Sequence, residues 1–330
     1  MAIGAGDLAI ATLSAEKPRV TSASDTPGAA AAPALSSNLR GALWMLASAA
    51  CFTAMTTLVK YLGGDYPAAL QAFYRQLAGF VILVPMIIRR RSAAFATRRP
   101  GILFFRAGAG TLANILSFYA YQKMPLADGN ALSFTRTLWV VPLAAFVLRE
   151  RVGPLRLVAA LVGFLGVLVM VRPGAGAHLA IGLPAVAMLA SSLLYALTIT
   201  GMKVVTRDTA SSVLLVWSAA LGMLLALPGA FIAWRWPTPL DLALLFAMGG
   251  IGTLNQWCYI KGMAIGDATA MAPIDYVRLV FATMVGLALF HEVPGVWTLA
   301  GASIVVASTL VITWREAQLA RRPFATGTKA

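Results

Sequence analysis

Five ionisable side chains sit inside long apolar runs of this 330-residue chain: Arg75, Arg106, Arg136, Asp275 and Arg278. A charge at the centre of a bilayer costs about 2.5–3.5 kcal/mol on insertion scales, so each one needs a partner, a polar cavity or a short reach to water. Arg106 lies about one turn from the end of its run and can snorkel. Arg75, Arg136 and Arg278 are roughly eight to ten residues in, about 12–15 Å deep at 1.5 Å per residue, and must find their partners inside. Their planar donor forks suit a carboxylate or a phosphate. Asp275 and Arg278 are three apart, share a helix face and can pair. Asp275 is also the one carboxylate deep in an apolar run, which makes it the candidate for proton coupling. Arg136 shares a face with Trp139 at i+3 and Ser133 at i−3. A guanidinium beside an indole suits an anionic or zwitterionic ligand with a planar apolar part. A pairing with Asp275 is the other use of the same charge.

Polar stripes at helical spacing would wall a cavity around these charges. They run through Thr53, Thr56, Thr57 and Lys60, through Asn114, Ser117, Phe118 and Tyr121, through Ser191, Tyr195 and Thr198, and through Asn255, Gln256 and Tyr259. Ser and Thr read as interhelical glue. Asn114, Gln256 and Tyr259 are larger and join Arg75, Arg136, Asp275 and Arg278 as expected substrate contacts. Trp139, Tyr259 and Tyr276 would pack on apolar parts of the ligand. Only two histidines and two cysteines occur. His178 and His291 fall in connections, and Cys51 and Cys258 in apolar runs, so no metal or cofactor set is expected. HExxH, GxSxG and Walker sequences are absent, which argues against an enzyme and against ATP-driven transport.

The elements that must position these residues follow from composition. The chain is 59% hydrophobic and 12% charged, with mean hydropathy +0.80, whereas soluble domains are about a quarter charged. Its apolar runs are continuous and long enough to span a bilayer, without barrel-type alternation. The fold class is an all-α polytopic membrane protein. The net charge of +14 sits mostly in short connections, which is a topology signal and not a nucleic-acid stripe. Spans are expected at 39–60, 68–88, 101–122, 127–148, 154–171, 180–202, 211–233, 240–262, 268–290 and 296–314. Residues 1–37 and 315–330 read as polar cytoplasmic tails, the first disordered. With the N-terminus inside, 18 Lys and Arg residues fall on the cytoplasmic side and four outside, so both termini are expected in the cytoplasm.

Two stretches show how the ten spans are organised. LSFTRTLWVVPLAAFVLRERV (Leu132 to Val152) and APIDYVRLVFATMVGLALFHEV (Ala272 to Val293) each close a set of five spans, with Arg136/Arg278 and Glu150/Glu292 both 142 positions apart. Five is odd, so the second set must be inverted. The expected architecture is ten transmembrane helices in two inverted five-helix repeats, 38–173 and 180–314, with a site between them. Pro142 and Pro273 would interrupt the fourth and ninth spans at that site; Pro85 and Pro228 read as packing kinks. Glu150 and Glu292 fall on opposite faces of the membrane and read as capping or turn residues before spans five and ten. Gly108/Gly110, Gly163/Gly166 and Gly249/Gly250/Gly252 read as close helix approaches.

These two stretches, with the segment number and the repeat length, resemble the paired EamA repeats of the drug/metabolite transporter superfamily. The resemblance covers nearly all of residues 39–314. That family often places Gly just before the closing Glu, where this chain has Arg149 and His291, so no weight falls on a glycine turn. The resemblance implies a secondary transporter of a small organic metabolite working by alternating access. Amino acids, nucleotide precursors, vitamins and drugs all fall within the superfamily. The residues favour a zwitterionic or anionic, amino-acid-like solute. The alternatives are a multidrug exporter of cations built on Asp275 and aromatics, and a flippase of lipid-linked substrates. Proton coupling and a homodimer through small-residue faces fit the same pattern. The high Ala, Gly, Leu and Arg content points to a bacterial inner membrane.

Overall fold

The structure is a computed structural model that describes residues 31–90, 97, 100–146, 153–171, 182–205, 211–266, 271 and 274–320. Among them the chain forms eleven α-helices: α1 (Ala31–Tyr61), α2 (Ala68–Arg90), α3 (Pro100–Lys123), α4 (Leu126–Ser133), α5 (Thr135–Phe146), α6 (Pro154–Val171), α7 (Leu183–Val205), α8 (Ser211–Ile232), α9 (Pro239–Ile265), α10 (Val277–Phe290) and α11 (Val296–Ala320). A single 3₁₀ turn, Leu62–Gly64, follows α1. Pro100, Pro154 and Pro239 open their helices at the position where a missing N–H costs nothing. At α9 the Thr238 side chain accepts the Asp241 N–H at 3.2 Å and completes the cap. Helix α1 starts at Ala31, so residues 31–37, expected in the tail, continue the first helix through an alanine-rich run.

Five of these helices are long and apolar enough to cross a membrane: Leu39–Gly64, Ala68–Arg89, Pro100–Lys123, Leu183–Thr200 and Val296–Arg315. Leu157–Val171, Val216–Ile232 and Val277–Phe290 are shorter apolar helices. Rows of large apolar side chains stay exposed at helical spacing, such as Leu161, Leu165 and Leu168 on α6 and Val280, Met284 and Leu287 on α10. Such rows match a hydrocarbon surround.

The packing is symmetric under exchange of the two repeats. Helix α1 lies along α9, and α3 along α7. Helix α2 meets α8, and α6 meets α11. Helix α10 crosses α1 as α5 crosses α7. In span numbers, one with eight maps onto six with three, nine with one maps onto four with six, and the other two contacts map onto themselves. This is the arrangement of paired repeats with a site at their interface.

The scaffold pair α6 and α11 crosses where Gly166 and Gly301 meet. A Cβ on Gly301 would lie 2.5 Å from the Gly166 carbonyl oxygen. Gly163, Gly249 and Gly252 also have neighbours within 3.0 Å of a built Cβ, as their clusters suggested. Gly108 and Gly110 have only ordinary contacts and Gly250 faces open space, so close approach does not explain those three.

The fourth span is divided, but not at Pro142, which lies inside α5. The α-helical ladder lapses at Phe134, where Phe134 N–H bonds Ala131 C=O at 3.2 Å and Thr137 N–H bonds Phe134 C=O at 3.1 Å. The ninth span lapses at Tyr276, with Leu279 N–H bonding Tyr276 C=O at 2.9 Å. Both are three-residue bonds in place of the four-residue repeat. Pro85 and Pro228 also lie inside their helices, α2 and α8. Arg149, Glu150, His178 and Pro273 lie outside the described residues.

Candidate functional site

The lapses at Phe134 and Tyr276 are 142 positions apart, the offset of the repeat, and each comes two residues before a deep arginine. Their rings meet across the repeat interface with centroids 4.6 Å apart. The Tyr276 hydroxyl donates to Thr309 of α11, which fixes that ring from behind. Beside this contact, Arg136 Nη2 lies 3.4 Å from Asp275 Oδ2, and Arg278 Nη1 lies 3.8 Å from the same oxygen. One carboxylate is thus shared by two guanidiniums, one from each repeat, and a positive charge is left in surplus. Both readings of Asp275, the i+3 partner and the partner across the interface, hold at once.

Arg278 is the more enclosed of the two, 2% exposed. Its Nη2 donates to Ser133 Oγ at 3.3 Å. Its guanidinium carbon sits 4.2 Å from the Phe134 ring centroid and 4.9 Å from that of Phe52. The aromatic partner expected for Arg136 is therefore found at Arg278 instead. Trp139 turns away and packs edge-on against Phe164 of α6 at 4.7 Å, because the scaffold helix offers it a larger apolar surface than the charged cluster does. Tyr121 is buried and packs edge-on against Phe52 with centroids 6.4 Å apart, and Tyr259 on α9 is half-buried. Gln256 is not brought into contact with the cluster; its side chain is exposed. The neighbouring Asn255 is the amide that engages α1, accepting from Ser48 at 2.8 Å. On α9 the stripe Met248, Gly252 and Gly262 is buried, and Asn255, unlike Gln256, projects toward α1.

Arg75 belongs to a second polar group. Its Nη1 donates to Asn114 Oδ1 at 3.1 Å and to Gln76 Oε1 at 3.4 Å. The same Asn114 oxygen accepts the Tyr195 hydroxyl at 2.7 Å, while Asn114 Nδ2 donates to Gly110 C=O. Gln76 in turn donates to the Ser218 carbonyl of α8. Arg106 also reaches α8, donating to Ser218 Oγ, in place of the snorkelling its sequence position suggested. Thr53, Thr56 and Thr57 bond carbonyls of their own helix, so they are not the interhelical glue expected of them.

Glu292 does not cap the tenth span. Its carboxylate pairs with Lys60 at the end of α1, and its Oε2 accepts the Leu126 N–H at 3.0 Å at the start of α4. Lys60 Nζ also donates to the Met124 carbonyl at 2.7 Å. The cause lies one residue earlier. His291 adopts φ 55°, the left-handed region, so Glu292 N–H reaches back to Gly286 C=O at 3.0 Å and its side chain swings toward α4. Glycine would adopt this conformation freely, whereas His291 adopts it with a Cβ and under strain. Phe52, Phe134, Gln76 and the Lys60–Glu292 pairing were not drawn as site features from the sequence. Phe134 had a readable signal: it is the 142-residue counterpart of Tyr276.

A two-fold bundle of broken spans with charges gathered at the break defines a polytopic membrane transporter. The chain belongs to the EamA-like transporter family, whose model matches residues 39–172 and 182–314. Over 292 residues it is 31% identical to a protein of Rickettsia prowazekii named S-adenosylmethionine uptake transporter, covering 86% of this chain and 95% of that one. It is 28% identical to a Vibrio cholerae protein named riboflavin transporter, over 86% and 96% of the two chains. With a Pseudomonas aeruginosa protein named pseudopaline exporter CntI it shares 26% identity, over 82% and 95%. A solved crystal structure superposes with TM-score 0.58 at 18% identity, over 86% of this chain and 99% of that one, a likeness of fold alone. The family and these relatives are transporters of small molecules and not enzymes.

Proposed function

We propose that this chain carries a small zwitterionic metabolite, by alternating access, through the cluster of Arg136, Asp275 and Arg278. The observation that supports this most is the sharing of one carboxylate by two guanidiniums between aromatic rings. The deep arginines Arg75, Arg136 and Arg278 outnumber Asp275 and leave room for a carboxylate, Asp275 suits a cationic centre, and the rings of Phe52, Phe134 and Tyr276 suit a planar group. Of the solutes for which the relatives are named, S-adenosylmethionine has all three parts: an amino-acid head, a sulfonium and a purine. Riboflavin has the planar group but neither the carboxylate nor the cation.

Alternating access draws support from the Lys60–Glu292–Leu126 tie. It joins the first repeat to the second at the ends that the basic-residue pattern assigns to the outside. Opening outward would require these bonds to part. The repeats are taken as 38–173 and 180–314, and both termini as cytoplasmic in a bacterial inner membrane.

The test is uptake into proteoliposomes of labelled S-adenosylmethionine, with riboflavin and a quaternary ammonium dye as comparisons. Saturable S-adenosylmethionine flux that Arg136→Ala abolishes supports the reading. Flux of the dye alone, unaffected by Arg136→Ala, would replace it with the cation-exporter reading.

A further inference from the structure

The deep arginines differ in what neutralises them. Arg136 and Arg278 share Asp275. Arg75, among the described residues, has no carboxylate partner. Its hydrogen bonds go to two neutral amides, and its Nε is buried with no partner at all. The nearer acceptor is fully engaged: the Asn114 oxygen already takes two donors, Arg75 Nη1 and the Tyr195 hydroxyl. Five N–H donors on a guanidinium cannot be met by this set. The wall behind Nε is close and apolar. A Cβ on Gly252 would lie 3.3 Å from Arg75 Nε and 3.0 Å from Met55 Sδ, so glycine is what leaves the guanidinium its space. Gly249 lets α9 approach the Arg75 backbone, where a Cβ would lie 3.2 Å from its carbonyl oxygen. A half-buried charge with surplus donors, and with no carboxylate partner among the described residues, is a receptor awaiting an anion.

Resting on the proposed zwitterion reading, we propose that the bound solute is polarised along the site, its carboxylate on Arg75 and its cationic centre at Asp275. Asn114 is the positioning residue: its Oδ1 accepts from Arg75 Nη1 and from the Tyr195 hydroxyl, and so holds the guanidinium in place. The arrangement selects against solutes in which the carboxylate or the cation is missing. Arg136 and Arg278 act mainly to hold Asp275 and the rings in place.

Binding to the purified full chain tests this with two matched pairs of probes: S-adenosylmethionine against its decarboxylated form, and benzoate against benzamide. Wild type is expected to prefer each carboxylate by about 10- to 100-fold, the worth of a charge-assisted hydrogen bond pair. Arg75→Gln should lose that preference while keeping wild-type affinity for decarboxylated S-adenosylmethionine. Arg75→Lys should restore part of it. Arg136→Gln should weaken both adenosyl probes alike. If Arg75→Gln weakens the two adenosyl probes equally, or leaves the carboxylate preference intact, the polarised arrangement is overturned. Loss of benzoate preference in Arg75→Gln, with no adenosyl probe bound by wild type, would uphold the carboxylate subsite and sink S-adenosylmethionine as the solute. Should Arg75→Gln fail to fold, Arg75→Lys carries the same comparison and should lower the preference by roughly 3- to 10-fold.

Discussion

Asp275 is the residue on which the charge balance of the cluster turns. It is one carboxylate for two guanidiniums, about a fifth exposed at 19%, with Arg136 at 31% and Arg278 at 3%. Removing one partner of an enclosed pair is far costlier than removing both, because the remaining charge keeps its desolvation penalty. Asp275→Asn is therefore expected to destabilise the folded protein by about 2–4 kcal/mol in detergent, less than a fully buried pair would because Arg136 is partly solvated. Arg136→Gln in the same chain should recover about 1–2 kcal/mol of that loss. Thermal or denaturant unfolding of the two single variants and the double variant measures the coupling. Strict additivity would mean that the ion pair contributes nothing. Arg136 and Asp275 were both legible as deep charges in the sequence, and their pairing was one of two readings. The rings stacked on Arg278 were not, because Phe52 and Phe134 are ordinary apolar residues until the fold brings them to a guanidinium.

At the scale of elements, the conformation of one residue after α10 decides where Glu292 goes. A non-glycine residue at positive φ costs about 1–2 kcal/mol, part of which glycine returns as lost freedom on folding. His291→Gly is expected to raise stability by about 0.5–1 kcal/mol with the Lys60–Glu292 pair intact, read as a rise in melting temperature. No rise would place the strain elsewhere. The crossing of α6 and α11 makes the opposite demand. Gly301→Val would set a side chain 2.5 Å from the Gly166 carbonyl and force the helices apart, at a cost of about 1–3 kcal/mol. Since that crossing lies in the scaffold, the relative affinities of different solutes should not change. A changed preference would mean that the scaffold is coupled to the site. The closing Glu pair was visible as a repeated motif of capping or turn residues, and for Glu292 the turn half of that reading stands while the capping half does not. Sequence spacing points to the next helix along the chain, whereas the left-handed turn sends the carboxylate to one far earlier.

For the whole molecule the expectation concerns the exchange between two faces. The Lys60–Glu292 pair and the Leu126 N–H bond tie three helix ends drawn from both repeats. Glu292→Gln should weaken the tie and raise the outward-open population, since a shift of about 1.4 kcal/mol changes such a ratio tenfold. In a background with Cys51 and Cys258 replaced, a Ser133→Cys variant would report the opening through labelling by a membrane-impermeant thiol reagent from outside. Faster labelling with Glu292→Gln is the expected result. Equal rates in the two backgrounds would show that the tie does not hold the outer side closed. The same labelling, with cysteines placed at the two tails, checks that both termini are cytoplasmic.

The sequence by itself determined the membrane class, the count of spans and the doubling of the repeat. These follow from apolar length, basic-residue asymmetry and a 142-residue offset, all properties that survive in one dimension. It also marked the deep charges, because an arginine far inside an apolar run has few uses. Only the tertiary structure decided which charges share a carboxylate, which is left without one, and where the broken spans break. Those outcomes depend on the crossing of helices remote in the chain: Arg136 meets Asp275 139 positions away, and Lys60 meets Glu292 232 positions away. No local pattern encodes the side-chain rotation that turns Asn255 toward α1 while Gln256 stays exposed, because a step of one residue on a helix is a turn of about 100° and the packing partner alone selects between them.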